Sequence, residues 1–382
     1  MNIEKHTKPR RKLWKRILTW TVSIVVLALL LWGFIAYWTS TNDCQQYATL
    51  PVNPVKAVVY CNYGVPNLKL QEIEKPSPAD DQLLVRVHAA SVNPLDWHFI
   101  EGTPYIGRFL FGMGARKPKV TRLGVDFAGV VESIGKSVTK FKPGDEVFGG
   151  RTGAFADYVC VRESRAVALK PANISFEQAA SVPIAAITAL QALRDKGHVQ
   201  AGQNVLINGA SGGVGTFAVQ LAKSYGAHVT GVCSTRNLDL VRSLGAEQVI
   251  DYTKEDFARM GQRYDLILDN VGTQPLSHFR EALTPNGICV LIGGGGPNDG
   301  RWIGPVTRPL KAMLLSPFVS QKFGMLLAEL NHDDLAYLAG LMQSGKMEPV
   351  IDRTYKSLRE IPDAIRYLEQ GHARGKVVVS AD

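Results

Sequence analysis

The clearest chemical signal in the sequence is a glycine-rich turn that joins a predicted strand to a predicted helix. An apolar strand over Asn204–Asn208 runs into the turn, and the apolar-periodic helix Gly215–Tyr225 follows it. Glycines let a backbone turn tightly and approach a pyrophosphate, and a helix N-terminus offers unpaired N–H groups. The pattern predicts a dinucleotide-binding loop, with a turn that binds no ligand as the alternative. The candidate cofactor contacts here are Gly209, Ala210, Ser211, Gly212, Gly213, Val214 and Gly215.

The residues after the next predicted strand indicate which cofactor binds. NAD enzymes usually carry an acidic residue about 20 positions after the glycine turn, where it binds the ribose 2′-hydroxyl. This sequence has Cys233-Ser234-Thr235-Arg236 instead. Hydroxyls and a guanidinium suit a 2′-phosphate, so the sequence predicts NADPH, with Ser234 and Arg236 as contacts. The alternative is that Arg236 is a solvated residue at the start of the next helix.

The elements that position these residues fall into two halves. Before about Ser181 the chain reads as short strands, at 56–60, 83–89, 124–135, 147–148 and 158–161. Afterwards strands at 204–208, 228–232, 249–251, 266–270 and 287–293 alternate with helices at 215–225 and 238–244. Such alternation predicts a doubly wound parallel sheet. A helix at 361–371 and a strand at 376–380 end the chain.

An uncharged apolar run near the N-terminus predicts a transmembrane helix. Ile17–Trp38 spans 22 residues, or about 33 Å as a helix, and tryptophan and tyrosine lie at its ends. We expect an uncleaved anchor; a secretory signal or a buried soluble helix is the alternative. Residues 1–16 form a basic tail with seven basic residues and one acidic residue, and residues 39–54 are expected to form a linker.

The charge distribution and the cysteine content indicate which functional class and which compartment to expect. Much of the net charge of +9 lies in the basic tail, so the rest of the chain shows no signature of nucleic-acid binding. The five cysteines are at least 17 residues apart and odd in number, and the expectation is free, mostly buried thiols in a reducing compartment.

Several motifs resemble the zinc-independent quinone oxidoreductase branch, the zeta-crystallin type, of the medium-chain dehydrogenase/reductases. They are the glycine turn, Ser181-Val182-Pro183 with Thr188, the segment Gly129–Gly135, Phe141–Asp145 and Gly375-Lys376-Val377. The resemblance covers about residues 55–382. It implies an α/β fold in which a GroES-like β domain (55–188) contains an inserted Rossmann domain (189–315) and is completed by 316–382. It also implies a homodimer and NADPH-linked reduction of quinones, enones or related carbonyls.

The resemblance also bears on metal binding. The zinc branch carries a cysteine where this chain has Asn93, and Gly-His-Glu where it has Gly124-Val125-Asp126. A thiolate and an imidazole are therefore missing from a site that normally needs three protein ligands. No catalytic zinc is expected.

By the same resemblance, Asn93, Asp96, Tyr105 and Thr188 lie near the substrate cleft. Tyr105 or a ribose hydroxyl is a candidate donor to a developing enolate, although Tyr105 could equally be packing in a loop. Asp96 reads more readily as a structural cap, and Asn93 and Thr188 as contacts of the nicotinamide pocket. Further candidate cofactor contacts are Tyr252, Asn270, Gly293 and Lys376, with Gly293–Gly296 expected to pass close to the nicotinamide.

The sequence leaves three functions open. The first is a membrane-anchored reductase of quinones or α,β-unsaturated carbonyls. The others are a zinc-independent alcohol or ketone reductase and an NADPH-binding membrane protein without turnover. For topology, the positive-inside rule places the basic tail in the cytoplasm and the domain opposite, whereas NADPH and free thiols favour a cytoplasmic domain. The expectation is a single-pass anchor with the domain facing the cytoplasm.

Overall fold

The protein is described here from a computed structural model covering residues 9–38, 40–110, 112–293 and 300–381. The α-helices are α1 Pro9–Trp38, α2 Pro94–Glu101, α3 Gly107–Leu110, α4 Phe176–Ala180, α5 Pro183–Gln191, α6 Gly213–Ser224, α7 Leu238–Ser243, α8 Leu276–Ala282, α9 Thr307–Leu315, α10 His332–Gln343 and α11 Ile361–Glu369. The strands are β1 Pro54–Val59, β2 Lys69–Glu74, β3 Gln82–Val92, β4 Asp126–Ile134, β5 Glu146–Gly150, β6 Tyr158–Arg162, β7 Val167–Leu169, β8 Asn204–Asn208, β9 His228–Cys233, β10 Gln248–Asp251, β11 Tyr264–Asp269, β12 Leu283–Leu291, β13 Lys322–Met325, β14 Ile351–Tyr355 and β15 Lys376–Ser380.

The N-terminal and C-terminal parts of the chain share one largely antiparallel sheet. Its strand order is β14-β15-β3-β4-β5-β7, with β6 also paired to β3, while β1 and β2 form a separate antiparallel pair. The final strand β15 lies directly beside β3, with Val379 opposite Ala90. The chain therefore returns to the first domain at its end, which brings C-terminal residues next to the predicted site residues that follow β3.

The middle of the chain forms a six-stranded parallel sheet in the order β10-β9-β8-β11-β12-β13. Its central strand β8 is an almost continuous buried apolar run, Val205–Ile207, as expected for a strand covered by helices on both faces. The strand order reverses between β8 and β11. Ligands of doubly wound sheets bind at such a switch point, outside the carboxyl ends of the strands.

The boundary expected at residue 315 falls short of the observed parallel sheet. Lys322–Met325 pairs with β12, with Cys289 opposite Phe323, so the sheet extends to residue 325. This strand has four residues and no continuous apolar run, so the sequence carries little signal for it.

Among the described residues, one helix is long and apolar enough to cross a membrane, namely Ile17–Trp38 within α1. A signal sequence or the core helix of a soluble protein would meet the same criterion. The last turns of α1 lie against the domain: Gly33 and Ala36 are half-buried, and the Trp32 and Phe109 rings are 5.8 Å apart.

The segment expected to be a linker packs against the domain. Ser40 Oγ accepts hydrogen bonds from the backbone N–H groups of Arg116 and Lys117, both at 3.2 Å. Thr121 Oγ1 donates to Asp43 Oδ1 at 2.7 Å. Residues 44–48 form a 3-10 turn. Because these contacts join both ends of a short segment to one surface, α1 leaves the domain at a defined point.

The expectation that all five cysteines are free is wrong for Cys44 and Cys61, which form a disulfide with Cα atoms 5.9 Å apart. The folded-back segment places Cys44 beside β1; Asn42 Nδ2 donates to the Cys61 carbonyl at 2.9 Å. Wide spacing along the chain is no obstacle once the backbone brings two cysteines within bonding range. Cys160, Cys233 and Cys289 are free thiols.

Candidate active site

The predicted dinucleotide loop has the backbone that its glycines require. Gly209 has a φ of +78°, a left-handed conformation that disfavours side chains. A Cβ on Gly215 would lie 2.1 Å from the Gly209 carbonyl oxygen, so only glycine fits where the helix crosses the turn. Helix α6 then begins at Gly213, with Gly212 extended before it. The helix N-terminus is therefore presented at the carboxyl end of β8, as anion binding requires.

The loop is joined to the C-terminal strand. Gly375 N–H donates to the Ser211 carbonyl at 2.9 Å, and Gly212 and Gly375 form an isolated parallel bridge. A Cβ on Gly213 would lie 3.1 Å from Lys376 Cδ, so the lysine stem passes directly beside the turn. The ammonium of Lys376 lies beyond the loop, among the buried residues of the domain that contains β3 and β4.

The predicted 2′-phosphate contacts gather where β9 and β10 end. The Tyr252 N–H donates to the Cys233 carbonyl at 3.1 Å, which places Tyr252 beside Ser234. Arg236 is exposed and donates to the His372 carbonyl. An acidic residue that the spacing rule does not reveal is also present. Asp251 accepts a 2.5 Å hydrogen bond from Thr235, which is the main cause that lowers the Asp251 pKa to about 2.

Asn270 and Gly293 meet at the end of β11. Asn270 Nδ2 donates to the Asn208 carbonyl at 3.0 Å, whereas its Oδ1 is buried and has no hydrogen-bond partner within the described chain. A Cβ on Gly293 would lie 2.2 Å from the Asn270 carbonyl oxygen, so the backbone at Gly293 passes directly beside Asn270. The expected approach of Gly293 to the nicotinamide stays a prediction. Gly294–Gly296 lie outside the described residues. An unpartnered buried acceptor beside the glycine turn fits a site that holds a polar ligand.

A buried polar cluster lies where β3, β4 and β15 come together. Lys376 is 4% exposed, and its Nζ donates to Asn93 Oδ1 at 2.5 Å and lies 3.4 Å from Asp126 Oδ2. Asp126 Oδ2 also accepts from Ser91 Oγ and Asn93 Nδ2, both at 3.0 Å. Desolvation lowers the pKa of Lys376, while the charges of Asp126 and Asp96 oppose that shift. The cluster is therefore a buried cation held by a carboxylate and an amide.

Asp96 holds the backbone around this cluster. Its Oδ2 accepts from the Asn93 N–H at 2.9 Å and its Oδ1 from the Gly124 N–H at 3.2 Å, so it closes a capping box at the start of α2. Burial is the main cause that raises its pKa from 3.8 to about 7. Both oxygens face protein donors, which agrees with the structural interpretation of Asp96.

Thr188 is tied to the same cluster through helix α5. Asp126 Oδ1 accepts from the Ile184 N–H at 3.0 Å, which fixes the first turn of α5 against β4. One turn later Thr188, 8% exposed, donates to the Ile184 carbonyl at 2.7 Å. The Thr188 oxygen keeps lone pairs that can accept a hydrogen bond.

Tyr105 lies apart, in contact with residues 301–302. Its N–H donates to the Arg301 carbonyl at 2.6 Å, and its ring meets Trp302 edge-on at 5.4 Å. The guanidinium of Arg108 lies 4.7 Å from the Tyr105 ring centre. The structure thus brings Asn93, Asp96 and Lys376 together and leaves Tyr105 at a partly exposed position.

Sequence reasoning missed Asp126 and Ser91 as members of the site. The sequence places Asp126 only where the zinc branch has a metal ligand, and no local pattern pairs this carboxylate with a lysine 250 residues later. Ser91, at the end of β3, carries no sequence signal that separates it from any other strand serine.

The residues at the zinc position of related enzymes do not fit a zinc ion. Within the described residues no group of three or more His, Cys, Asp or Glu side chains is arranged to hold a metal. The Lys376 ammonium lies against both Asn93 and Asp126 and would repel a divalent cation there. A zinc site needs deprotonated, metal-binding side chains in that space.

Known proteins share this architecture. Residues 79–171 match the alcohol dehydrogenase GroES-like domain, and residues 244–379 match a family described as zinc-binding dehydrogenase. A chloroplastic quinone-oxidoreductase from Triphysaria versicolor is 35% identical over 346 residues, covering 85% of this chain and 98% of that protein. The chain belongs to the medium-chain dehydrogenase/reductase superfamily, in its quinone oxidoreductase-like branch. It is a nicotinamide-dependent oxidoreductase.

Two further relatives agree with this membership. The chloroplastic NADPH-dependent alkenal/one oxidoreductase of Arabidopsis thaliana is 35% identical over 347 residues, covering 87% of this chain and 81% of that protein. The structure of the quinone oxidoreductase from Coxiella burnetii superposes with a TM-score of 0.74 at 33% identity, covering 86% of this chain and all of that one. The GroES-like and Rossmann arrangement predicted from the motifs is confirmed.

Proposed function

We propose that this superfamily member reduces a quinone or an α,β-unsaturated carbonyl with NADPH and without zinc. The observation that carries the proposal is the Lys376 side chain, whose stem passes the dinucleotide loop and whose buried ammonium lies in the space where a zinc enzyme needs metal ligands. When bound, NADPH supplies a hydride, which with one proton converts a quinone to a hydroquinone or an enone to a saturated carbonyl, leaving NADP⁺.

The chain offers separate groups for the pyrophosphate and the 2′-phosphate of the cofactor. The N-terminus of α6 would hold the pyrophosphate, and the buried Asn270 Oδ1 is an acceptor without a partner in the protein. Ser234, Tyr252 and the exposed Arg236 would bind the 2′-phosphate. Asp251 disfavours a phosphate by its charge, but its oxygens are engaged by Thr235 and Thr253, so those hydroxyls shield it.

Asn93 and Asp96 act in this proposal as positioning residues. The Asn93 amide donates to Asp126 and to the Ser91 carbonyl and accepts from Lys376, so both ends of the amide have protein partners. Asp96 accepts from two backbone N–H groups. Thr188 would contact the nicotinamide, and the Tyr105 hydroxyl is the candidate donor to a developing enolate oxygen.

A substrate panel tests the proposal. The purified full-length protein is assayed for NADPH consumption with quinones, enones and simple ketones, before and after dialysis against a zinc chelator. We expect turnover with quinones or enones, little with saturated ketones and no loss after chelation. Preference for simple ketones would favour an alcohol or ketone reductase. Activity that chelation removes and added zinc restores would overturn the zinc-independent mechanism.

Membrane anchoring and a homodimer are further parts of the proposal. The exposed apolar surface of Ile17–Trp38 supports an anchor, and among the described residues β13 is the last strand of its sheet, so its outer side can pair with a second chain. We expect carbonate-resistant membrane association and a dimer mass by light scattering in detergent. Release of an intact domain by carbonate, or a monomer mass, would refute the corresponding part.

A further inference from the structure

Segment 302–318 carries an apolar surface that faces away from the protein. Helix α9 has Leu310, Met313 and Leu314 on one side at i, i+3 and i+4, the spacing of a face that normally packs into a core. These three side chains are 47%, 65% and 70% exposed. Trp302 before the helix and Phe318 after it are 75% and 83% exposed. We call these five residues the apolar rim.

The opposite face of α9 explains why the apolar face points outward. Arg308 pairs with the buried Asp269 at the end of β11 at 2.6 Å, and Ala312 is 3% exposed. Asp269 is itself fixed by Asn208 Nδ2 at 2.8 Å. Because this ion pair sets the rotation of α9, the apolar rim cannot turn inward without breaking it. An exposed apolar surface of this kind marks an interaction site.

The membrane anchor approaches the same side of the protein. Trp32 of α1 contacts Phe109, Tyr105 is four residues before Phe109, and Tyr105 in turn contacts Trp302 of the apolar rim. Trp32 is six residues before Trp38, about 9 Å along the helix. When Ile17–Trp38 spans a bilayer, Phe109, which contacts Trp32, therefore lies about 9 Å inside the Trp38 end of the apolar span.

The charges beside the apolar rim suit a lipid surface. Arg301 and Lys311 are exposed next to Trp302 and Leu310, and apolar residues with interleaved basic ones are typical of helices that lie in the membrane interface. The exposed tryptophan also matches the preference of that residue for the lipid–water boundary.

We propose that the apolar rim lies on the bilayer that holds the anchor, and that the substrate is a membrane-dissolved quinone or enone with a long hydrocarbon chain, which enters beside Tyr105 directly from the lipid. This assignment rests on the proposed function, since it names the substrate class of the same site. Contact between Tyr105 and Trp302 joins the entrance to the rim, so such a substrate need not cross water.

The test uses full-length protein in vesicles of phosphatidylcholine and phosphatidylglycerol. NADPH consumption is measured with a water-soluble benzoquinone and with the same ring carrying a long isoprenoid chain. The variant Met313→Gln/Leu314→Gln is compared with a matched control, Leu169→Gln/Met260→Gln, which removes one leucine and one methionine that are 55% and 47% exposed elsewhere. For each variant, the rate with the long-chain quinone is divided by the rate with the soluble quinone in the same vesicles. This ratio corrects for the share of enzyme that faces the vesicle interior.

We expect the rim variant to lose at least tenfold of its rate with the long-chain quinone at limiting membrane concentration, and to keep its rate with the soluble quinone. The control variant should retain both rates. Equal rates of wild type and rim variant with the long-chain quinone would overturn the proposal, as would a change from dimer to monomer in the rim variant, which would assign the surface to a second copy. Absence of turnover with either quinone would instead refute the proposed function.

Discussion

Lys376 and Asp126 offer the sharpest test of the buried cluster. Replacing Lys376 with Met removes the ammonium but keeps most of the stem that passes Gly213. Two carboxylates, Asp126 and Asp96, then stay buried without a cation. At 3.4 Å and an effective dielectric constant of 20, the lost attraction to Asp126 is about 5 kcal/mol. Removing one partner of a buried ion pair costs about 3–5 kcal/mol in other proteins, so we expect a loss of that size.

The double variant Lys376→Met/Asp126→Asn should recover much of this loss. Once the lysine is absent, the Asn93 amide can rotate and the Ser91 hydroxyl can turn, so that both find partners on the new amide. We expect the double variant to be less destabilised than the sum of the single variants by at least about 2 kcal/mol, as for residues in direct contact. Urea unfolding of the full chain in detergent, followed by circular dichroism, measures each free energy of unfolding.

The pH dependence of the single variants provides an internal control. In Lys376→Met the folded state binds a proton more readily than the unfolded state, so its stability relative to wild type should rise as the pH falls. In Asp126→Asn the buried ammonium of Lys376 is unpaired and gives up its proton more readily, so relative stability should rise with pH. Additive free energies, or the same pH slope in both variants, would refute the ion-pair interpretation.

Three further results are expected. Because burial raises the pKa of Asp96 to about 7, above its unfolded value, wild type should gain stability over Asp96→Asn as pH falls from 8 to 5 in urea unfolding; a constant difference would contradict this. Arg236→Ala should weaken NADPH binding by about 1–3 kcal/mol and leave NADH binding unchanged in fluorescence titrations, whereas Arg242→Ala, an exposed neighbour, should change neither. Equal losses for both cofactors would remove the 2′-phosphate assignment. Non-reducing electrophoresis of protein alkylated in intact cells should show the Cys44–Cys61 bond formed, and free thiols at both positions would contradict it.

Local patterns in the sequence were enough for several of the strands and for the glycine-rich turn. The strands Asn204–Asn208 and Lys376–Ser380 have the predicted bounds because each is an apolar run between polar or turn residues. Gly209 and Gly215 were identified because only glycine tolerates a left-handed turn and a helix crossing at contact distance. In each case the deciding interaction is made within a few residues of chain.

The buried cluster could not be found in this way because its members meet only after folding. Lys376 and Asn93 are 283 residues apart, and a lysine in an apolar strand gives no indication of which carboxylate lies opposite. The outward rotation of α9 was hidden for a related reason. Its apolar spacing predicts a face that packs into the core, yet the Arg308–Asp269 pair decides which side is buried.

The disulfide changes the balance of the topology argument. A cytoplasmic domain was expected because the cofactor is cytosolic and the cysteines looked free, but Cys44 and Cys61 are joined. Disulfides persist in oxidising compartments, and the seven basic residues before Ile17 favour a cytoplasmic tail. These two observations are independent and agree, so we propose that the domain after Val55 faces the opposite, oxidising side. Adding protease to intact cells or sealed organelles tests this orientation. If the protein lies in the plasma membrane, we expect the domain to be digested in intact right-side-out preparations. Full protection of the domain together with a reduced Cys44 would restore the cytoplasmic assignment. The enzyme must then work in a compartment that oxidises thiols and still supplies reduced nicotinamide, which is a more restrictive requirement than either observation imposes alone.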